Sequence, residues 1–261
     1  WEDLCGRSIE DNVYYSPHYA NALLSTAARQ DHVRFVAVYE GDKLVALLPV
    51  STTRLPLPGV APAGQAWMTD YTFTTEPLID KQTAAEAAGS LVDGLAQLSG
   101  GEWLFPVVNL DGPTTRAMTD AMQGVFARAV MTRGPSFEEH LAKQVGSKRR
   151  RDLARSRRRL EDLGSVRHET HCEGEGLNRA VQAFLDIEAA GWKGKRGTAL
   201  ACDPATREFA MAAFGDVNGR SICRADMLLL NDKPIAVGLI VFAGRTGFTV
   251  KGAYDEAYAK Y

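Results

Sequence analysis

The chain has 261 residues, 45% of them hydrophobic and 24% charged, with a net charge of −2. That is enough to bury a substantial core in one large domain or two lobes, and it excludes a disordered or low-complexity protein. No apolar run is long enough for a membrane-spanning helix, and the four scattered cysteines (Cys5, Cys172, Cys202, Cys223) form neither a CxxC pair nor a dense disulfide framework. A reducing, cytoplasmic setting is expected.

The charge is unevenly spread. Residues 148–159 alone carry +7, which leaves −9 on the remainder. A protein built to hold a polyanion is more often basic throughout, so nucleic acid is the weakest of the readings of this stretch. The chain opens on Trp1 without a methionine and stops at Tyr261 inside an unfinished pattern, as a trimmed piece of a longer protein would.

In chain order, Ser16-Pro17 is a cap followed by a first-turn proline and predicts a helix through "SPHYANALLSTAARQ". Two β-branched runs joined by "EGDK" predict an antiparallel hairpin over 33–54. "AWMTDYTF" predicts a third strand, "TAAEAAGSLVDGLAQL" a helix, "EWLFPVV" a strand, "TTRAMTDAM" a short helix and "FARAVM" a strand. The basic stretch "SKRRRDLARSRRRLEDLG" predicts a helix, then "SVRHETHC" a strand. Two amphipathic helices follow, in "GLNRAVQAFLDIEAAGW" and "DPATREFAMAAFGDV", and "ADMLLLNDKPIAVGLIVFAGRTGFTVKGAY" reads as a three-strand meander. The fold class is therefore α/β or α+β. "DKLVALLPV" and "DKPIAVGLIV" echo each other as second strands of hairpins, which matches either chance or a duplicated unit. Duplication would give lobes at 1–135 and 136–261, the second truncated at its C-terminal end.

On a helical projection of the basic stretch, Leu153 and Leu160 define a buried line with Leu163 to one side. Arg149, Arg150 and Arg157 border that line, whereas Lys148, Arg151, Arg155, Arg158 and Arg159 point away. Guanidinium forks beside an apolar seam suit phosphate or carboxylate, so these three are candidates for an anionic acceptor or carrier; a solvated, ion-paired helix is the competing reading. "GWKGKRG" places Trp192 and Lys193 between glycines, as a stacking surface with a nearby charge or as a helix stop with the indole folded on the core. Strand alternation sets Lys251 on one face with Thr249 and Ala253, opposite Phe248 and Val250, where it meets either an anionic substrate or water. Asp70 and Tyr71, at the end of an expected strand, either face a cleft or make a turn. The five histidines have no metal-like spacing, and no metal is expected.

The order of "RRDLARSRRRLEDLG", "FLDIEAAGWKGKRGTAL", "LLLNDKPIAVGLIV" and "FTVKGAYDEAYAKY", with "YYSPHYANALL" and "GDKLVALLPV" upstream, resembles the CelD-type acetyltransferases. These are GNAT-superfamily proteins linked to cellulose or exopolysaccharide synthesis. The same order is similar, more distantly, to the FemAB aminoacyltransferases, which have two GNAT-like lobes with a basic helix feeding the second. The resemblance implies tandem GNAT-like lobes, each with a mixed, mainly antiparallel sheet. It also implies acyl transfer from acetyl-CoA or another acyl-CoA to a sugar-like or amine acceptor of the cell envelope. The carrier would lie beside the strand "GFTVKGAY", and the chain stops before a phosphate-binding turn. The Gln/Arg-x-x-Gly-x-Gly/Ala signature is not found in the sequence. Asp255 is the candidate proton acceptor, or else a helix cap, and Tyr254 the candidate donor to an oxyanion or leaving thiolate. Two other functions remain open at this point: a FemAB-like aminoacyltransferase using charged tRNA, and a degenerate GNAT-fold scaffold protein.

Overall fold

A computed structural model describes residues 1–55, 63–99, 102–118 and 129–261. A short helix α1 (Glu2–Arg7) and a 3-10 turn (Val13–Tyr15) precede α2 (Pro17–Ser25), whose cap is Ser16: its hydroxyl accepts from the Tyr19 N–H at 3.4 Å, and Pro17 occupies the first turn. Strands β1 (Val33–Glu40) and β2 (Lys43–Leu55) form the expected antiparallel hairpin, closed through Gly41 at φ +59°. β3 (Ala63–Ala66) and β4 (Leu78–Ile79) both pair with β2, and β5 (Trp103–Leu104) pairs parallel with β3, completing a five-stranded mixed sheet. The expected helix α3 (Ala84–Ser99) packs on this sheet, and α4 (Pro113–Met118) packs on α3.

Three strands depart from expectation. "AWMTDYTF" contributes only Ala66 to a strand. Beyond Trp67 the Thr69 and Thr72 hydroxyls bond to each other at 3.0 Å and to local backbone, turning the chain out of the ladder. "EWLFPVV" yields two strand residues, since Pro106 has no N–H to extend the ladder. Of "FARAVM", residues 126–128 lie outside the described residues, while Val130 and Met131 are exposed and outside any strand. The helix expected from "TTRAMTDAM" is described as far as Met118.

The second half begins with α5 (Phe137–Gln144) and the basic helix α6 (Ser147–Glu161), followed by β6 (Val166–His171) and α7 (Gly174–Ala190). A four-residue helix α8 (Trp192–Lys195) and α9 (Pro204–Phe214) lead into the meander β7 (Cys223–Leu230), β8 (Lys233–Ala243) and β9 (Thr246–Tyr254). The four strands β6-β7-β8-β9 are antiparallel in that order. Asn231 and Asp232, at φ +49° and +64°, make the tight turn between β7 and β8. α7 and α9 cover one face of this sheet.

One apolar core runs through both sheets. Residues 11–19 join them. Asp11 accepts from the Arg245 N–H and the Thr246 hydroxyl in the β8–β9 turn, while the Tyr15 and Tyr19 hydroxyls donate to the Trp67 and Tyr71 carbonyls at 2.7 and 2.8 Å. Tyr14 and Tyr19 meet Phe73, Phe209 and Phe248 edge-on. This seam of buried, hydrogen-bonded aromatic rings holds the irregular stretch 67–75 against the C-terminal sheet.

Candidate active site

The site grows out of α7. Its buried residues Leu177, Ala180, Val181, Phe184 and Leu185 follow helical periodicity, and the next position of that stripe is Glu188, 4% exposed. A carboxylate there needs partners. It has two: the Lys193 ammonium at 2.7 Å and the Leu200 N–H at 2.8 Å. Glu188 thereby pins both ends of the connection from α8 to residue 200. Gly194 lets that connection turn tightly, because a Cβ there would lie 1.7 Å from the Ala189 carbonyl oxygen.

Lys251 enters from β9. Lys251 pairs with Leu239 but Thr249 pairs with Ile240, so Val250 is an extra residue that bulges from the ladder. The bulge reverses the expected alternation. Lys251 falls on the same face as Phe248 and Ala253, the face that α7 covers, instead of sharing a face with Thr249. Its ammonium lies 5.7 Å from the centre of the Tyr71 ring, in a cation–π contact between the two halves of the chain. Burial lowers the affinity of Lys251 for its proton; the Glu188 charge opposes this and Lys193 reinforces it. Tyr71 packs on Phe209 with centroids 5.0 Å apart, and burial, then the Asp70, Asp203 and Glu188 charges, raise its hydroxyl above the usual tyrosine value.

Lys193 thus holds the buried carboxylate, whereas Lys251 has no ion pair among the described residues and feels Glu188 only as a more distant charge. Its ammonium stands at a half-buried position beside the Tyr71 ring. This arrangement attracts an anion, or an oxygen on which negative charge develops.

Beside it, Gly191, Trp192, Lys193, Gly252, Ala253, Tyr254 and Glu256 line a narrow cleft. Glu256 holds its rim closed: it accepts from the Trp192 N–H at 2.6 Å and from Lys195 at 3.0 Å. Trp192 is 48% exposed and flanked by Arg196 at 5.3 Å, so it is not folded onto the core. Tyr254, paired with Ala236 on the strand face opposite Lys251, reaches this cleft with half its surface exposed.

The structure gathers Tyr71, Trp192, Lys193, Lys251 and Tyr254, and adds Glu188 and Glu256, which were not singled out in the sequence. Two candidates behave differently. Asp255 caps the 3-10 turn that follows β9, accepting from the Ala257 N–H and from Lys233, both at 3.0 Å. Those bonds lower its pKa and hold the carboxylate as a cap and ion pair, the alternative that the sequence left open beside a proton acceptor. Asp70 is exposed in the threonine-stabilised turn, acting on the site only through its charge on Tyr71.

The basic helix also departs from its projection. Leu160 is buried with Leu230 and Ile235, but Leu153 and Leu163 are each 46% exposed. No apolar seam therefore runs the helix's length. Arg149 and Arg157 are exposed and Arg150 half-buried; Arg157 pairs with Glu161 on the same helix at 2.9 Å, and Arg159 stacks over Tyr261. Among the described residues no cluster of His, Cys, Asp or Glu is arranged to hold a metal, and no helix is long and apolar enough to cross a membrane.

Residues 147–261 match the model of an acetyltransferase (GNAT) domain. No curated protein matches the chain in sequence. Among solved structures it is similar to FemX, with a TM-score of 0.56 at 10% identity, over 99% of this chain and 79% of that one. The match to the domain model starts at α6 and takes in Glu188, Trp192, Lys193, Lys251 and Tyr254, whereas Tyr71 comes from outside it. Residues 147–261 are thus similar to a GNAT acetyltransferase domain, and the chain has a mixed α/β fold like that of FemX over nearly its whole length.

Proposed function

We propose that the protein transfers an acyl group from an acyl-CoA to an amine or hydroxyl of a sugar-like or cell-envelope precursor, as the CelD-like resemblance implies. The observation that carries this is the ammonium of Lys251, without an ion pair among the described residues, which the β9 bulge turns from the region matching the acetyltransferase model toward Tyr71 of the N-terminal half. Attack by the acceptor's nitrogen or oxygen on a thioester carbonyl forms a bond to carbon and leaves negative charge on the carbonyl oxygen; the carbon–sulfur bond then breaks, the thiolate takes up a proton, and the proton that the acceptor gives up replaces it on the group that supplied it. Lys251 stabilises the charged oxygen, more strongly for being half-desolvated. Tyr254, at the cleft mouth, donates to the departing sulfur, and Trp192 offers an apolar face to the acceptor.

The donor's fit is supported by the cleft along Gly252 and Ala253, where the small residues leave β9 backbone accessible, and β9 has no outer neighbour among the described residues. The thioester carrier supplies the activated acyl group. We read the chain as two GNAT-like lobes, 1–135 and 136–261, supported by a helix followed by a hairpin in each half, α2 with β1–β2 and α9 with β7–β8. The free thiols, with Cys223 buried and pushed up to about 12, suit a reducing cytoplasm.

Titration calorimetry with acetyl-CoA tests the reading: saturable binding that weakens in Lys251→Met supports it, and no binding to the folded protein refutes it. A second reading, aminoacyl transfer from charged tRNA, is favoured by the FemX-like fold and by the exposed arginines of α6. It expects tRNA binding that falls steeply with salt and weakens when Arg149, Arg150 or Arg157 is replaced by alanine.

A further inference from the structure

The outer edge of the N-terminal sheet is an unpaired, regular and largely apolar strand. β1 reads Val-Arg-Phe-Val-Ala-Val-Tyr-Glu with no proline or lysine to blunt it, and among the described residues no strand pairs with its outer side. The irregularity in the β1–β2 ladder falls on β2: Val38 pairs with Ala46 and Tyr39 with Leu44, so Val45 is the extra residue and β1 stays straight. Phe35 and Tyr39 lie on one face, 40% and 62% exposed, with Trp1 edge-on to Phe35. Val36 and Val38, on the other face, pack on the core. Arg34 and Glu40 are exposed and have no ion pair among the described residues.

We propose that β1 pairs antiparallel with β1 of a second copy of this chain, joining two five-stranded sheets into one. Alternate residues turn their N–H and C=O groups to the same side, so a two-fold antiparallel pairing must centre on a residue, not between two. Centred on Ala37, the pairing sets Arg34 opposite Glu40 and Phe35 opposite Tyr39, each twice, with Val36 opposite Val38. Centres one residue away in either direction set Arg34 or Glu40 against a valine. The strand therefore complements itself in charge, in aromatic pairing and in aliphatic pairing at one register only. An isologous contact of this kind closes on itself, so the edge is satisfied without growing a fibre. The inference is independent of the acyl-transfer reading, because β1 contributes no residue to that site.

Sedimentation velocity of the full chain over a concentration series tests it. The expected result is a reversible dimer whose dissociation constant rises by about tenfold or more in Arg34→Glu and, separately, in Glu40→Arg, since each puts like charges opposite one another twice. The double variant Arg34→Glu/Glu40→Arg restores dimerisation. Circular dichroism melting confirms that each variant stays folded; both side chains are exposed and make no ion pair among the described residues. A protein that is monomeric throughout, a dimer indifferent to either single change, or a double variant that fails to recover overturns the proposal.

Discussion

Two basic stretches of the same domain, α6 and the segment Trp192–Arg196, have opposite fates. α6 carries far more charge, yet it meets the core only through Leu160 near its end, and its ion pairs are with its own acids, Asp152 and Glu161. The shorter segment sends Lys193 to a carboxylate that is almost fully buried and Lys195 to Glu256, across the chain. Charge density in a sequence marks where ions are, whereas burial and long-range partners mark where they act. An exposed pair within one helix contributes a few tenths of a kcal/mol, but a buried one is costly to break.

The largest test of that contrast is Glu188→Ala. It leaves the Lys193 ammonium and the Leu200 N–H without their acceptor, with an expected loss of about 3 kcal/mol in denaturant unfolding. A loss below that of an ordinary surface change would show that the α8 connection does not depend on Glu188.

Lys251→Met separates stability from turnover. Burial lowers the folded-state pKa of Lys251 below its unfolded value, so the unfolded chain binds more protons between the two. The charged lysine therefore costs stability below its folded pKa, and the cost is relieved as pH rises toward the usual lysine value. Methionine removes that cost. The variant is expected to be at least as stable as the parent near neutral pH, with a shallower rise in stability on the alkaline side, while acyl transfer falls by roughly a hundredfold, the effect of losing an oxyanion donor. A parallel fall in both properties would reduce Lys251 to a structural role.

Within α6, Leu160→Ala is expected to cost about 2 kcal/mol by opening a cavity beside Leu230 and Ile235, and Leu153→Ala less than about 0.5 kcal/mol. Similar costs at both positions would mean that the helix packs along its length after all.

Much of the fold was legible. Ser16-Pro17, the period of α7 and the turn residues of "NDKP" act locally, and the elements they predict are present. The misses share a physical cause. Alternation along β9 cannot reveal the bulge at Val250, because a bulge belongs to the pairing with β8, and it is the bulge that turns Lys251 inward. A helical projection tells which face of α6 is apolar but not whether another element lies against it, so Leu153 was expected in a seam that does not exist. Asp255 sits at a position where a cap and a base look alike in sequence, and only the bonds from Ala257 and Lys233 separate them. Glu188 did leave a signal: a lone acid on the apolar stripe of α7, which periodicity alone could have found.

The smallest expected effect closes the comparison. Replacing Arg149, Arg150 and Arg157 together by alanine removes three charges but only one ion pair among the described residues, Arg157 with Glu161. Alanine also favours a helix slightly more than arginine does. Stability should therefore change by no more than about 0.5 kcal/mol. Because folding is barely touched, any loss of donor or acceptor binding in this triple variant reports directly on recognition by α6. Binding that survives intact, with melting also unchanged, would make the most highly charged stretch of the chain a solvated face.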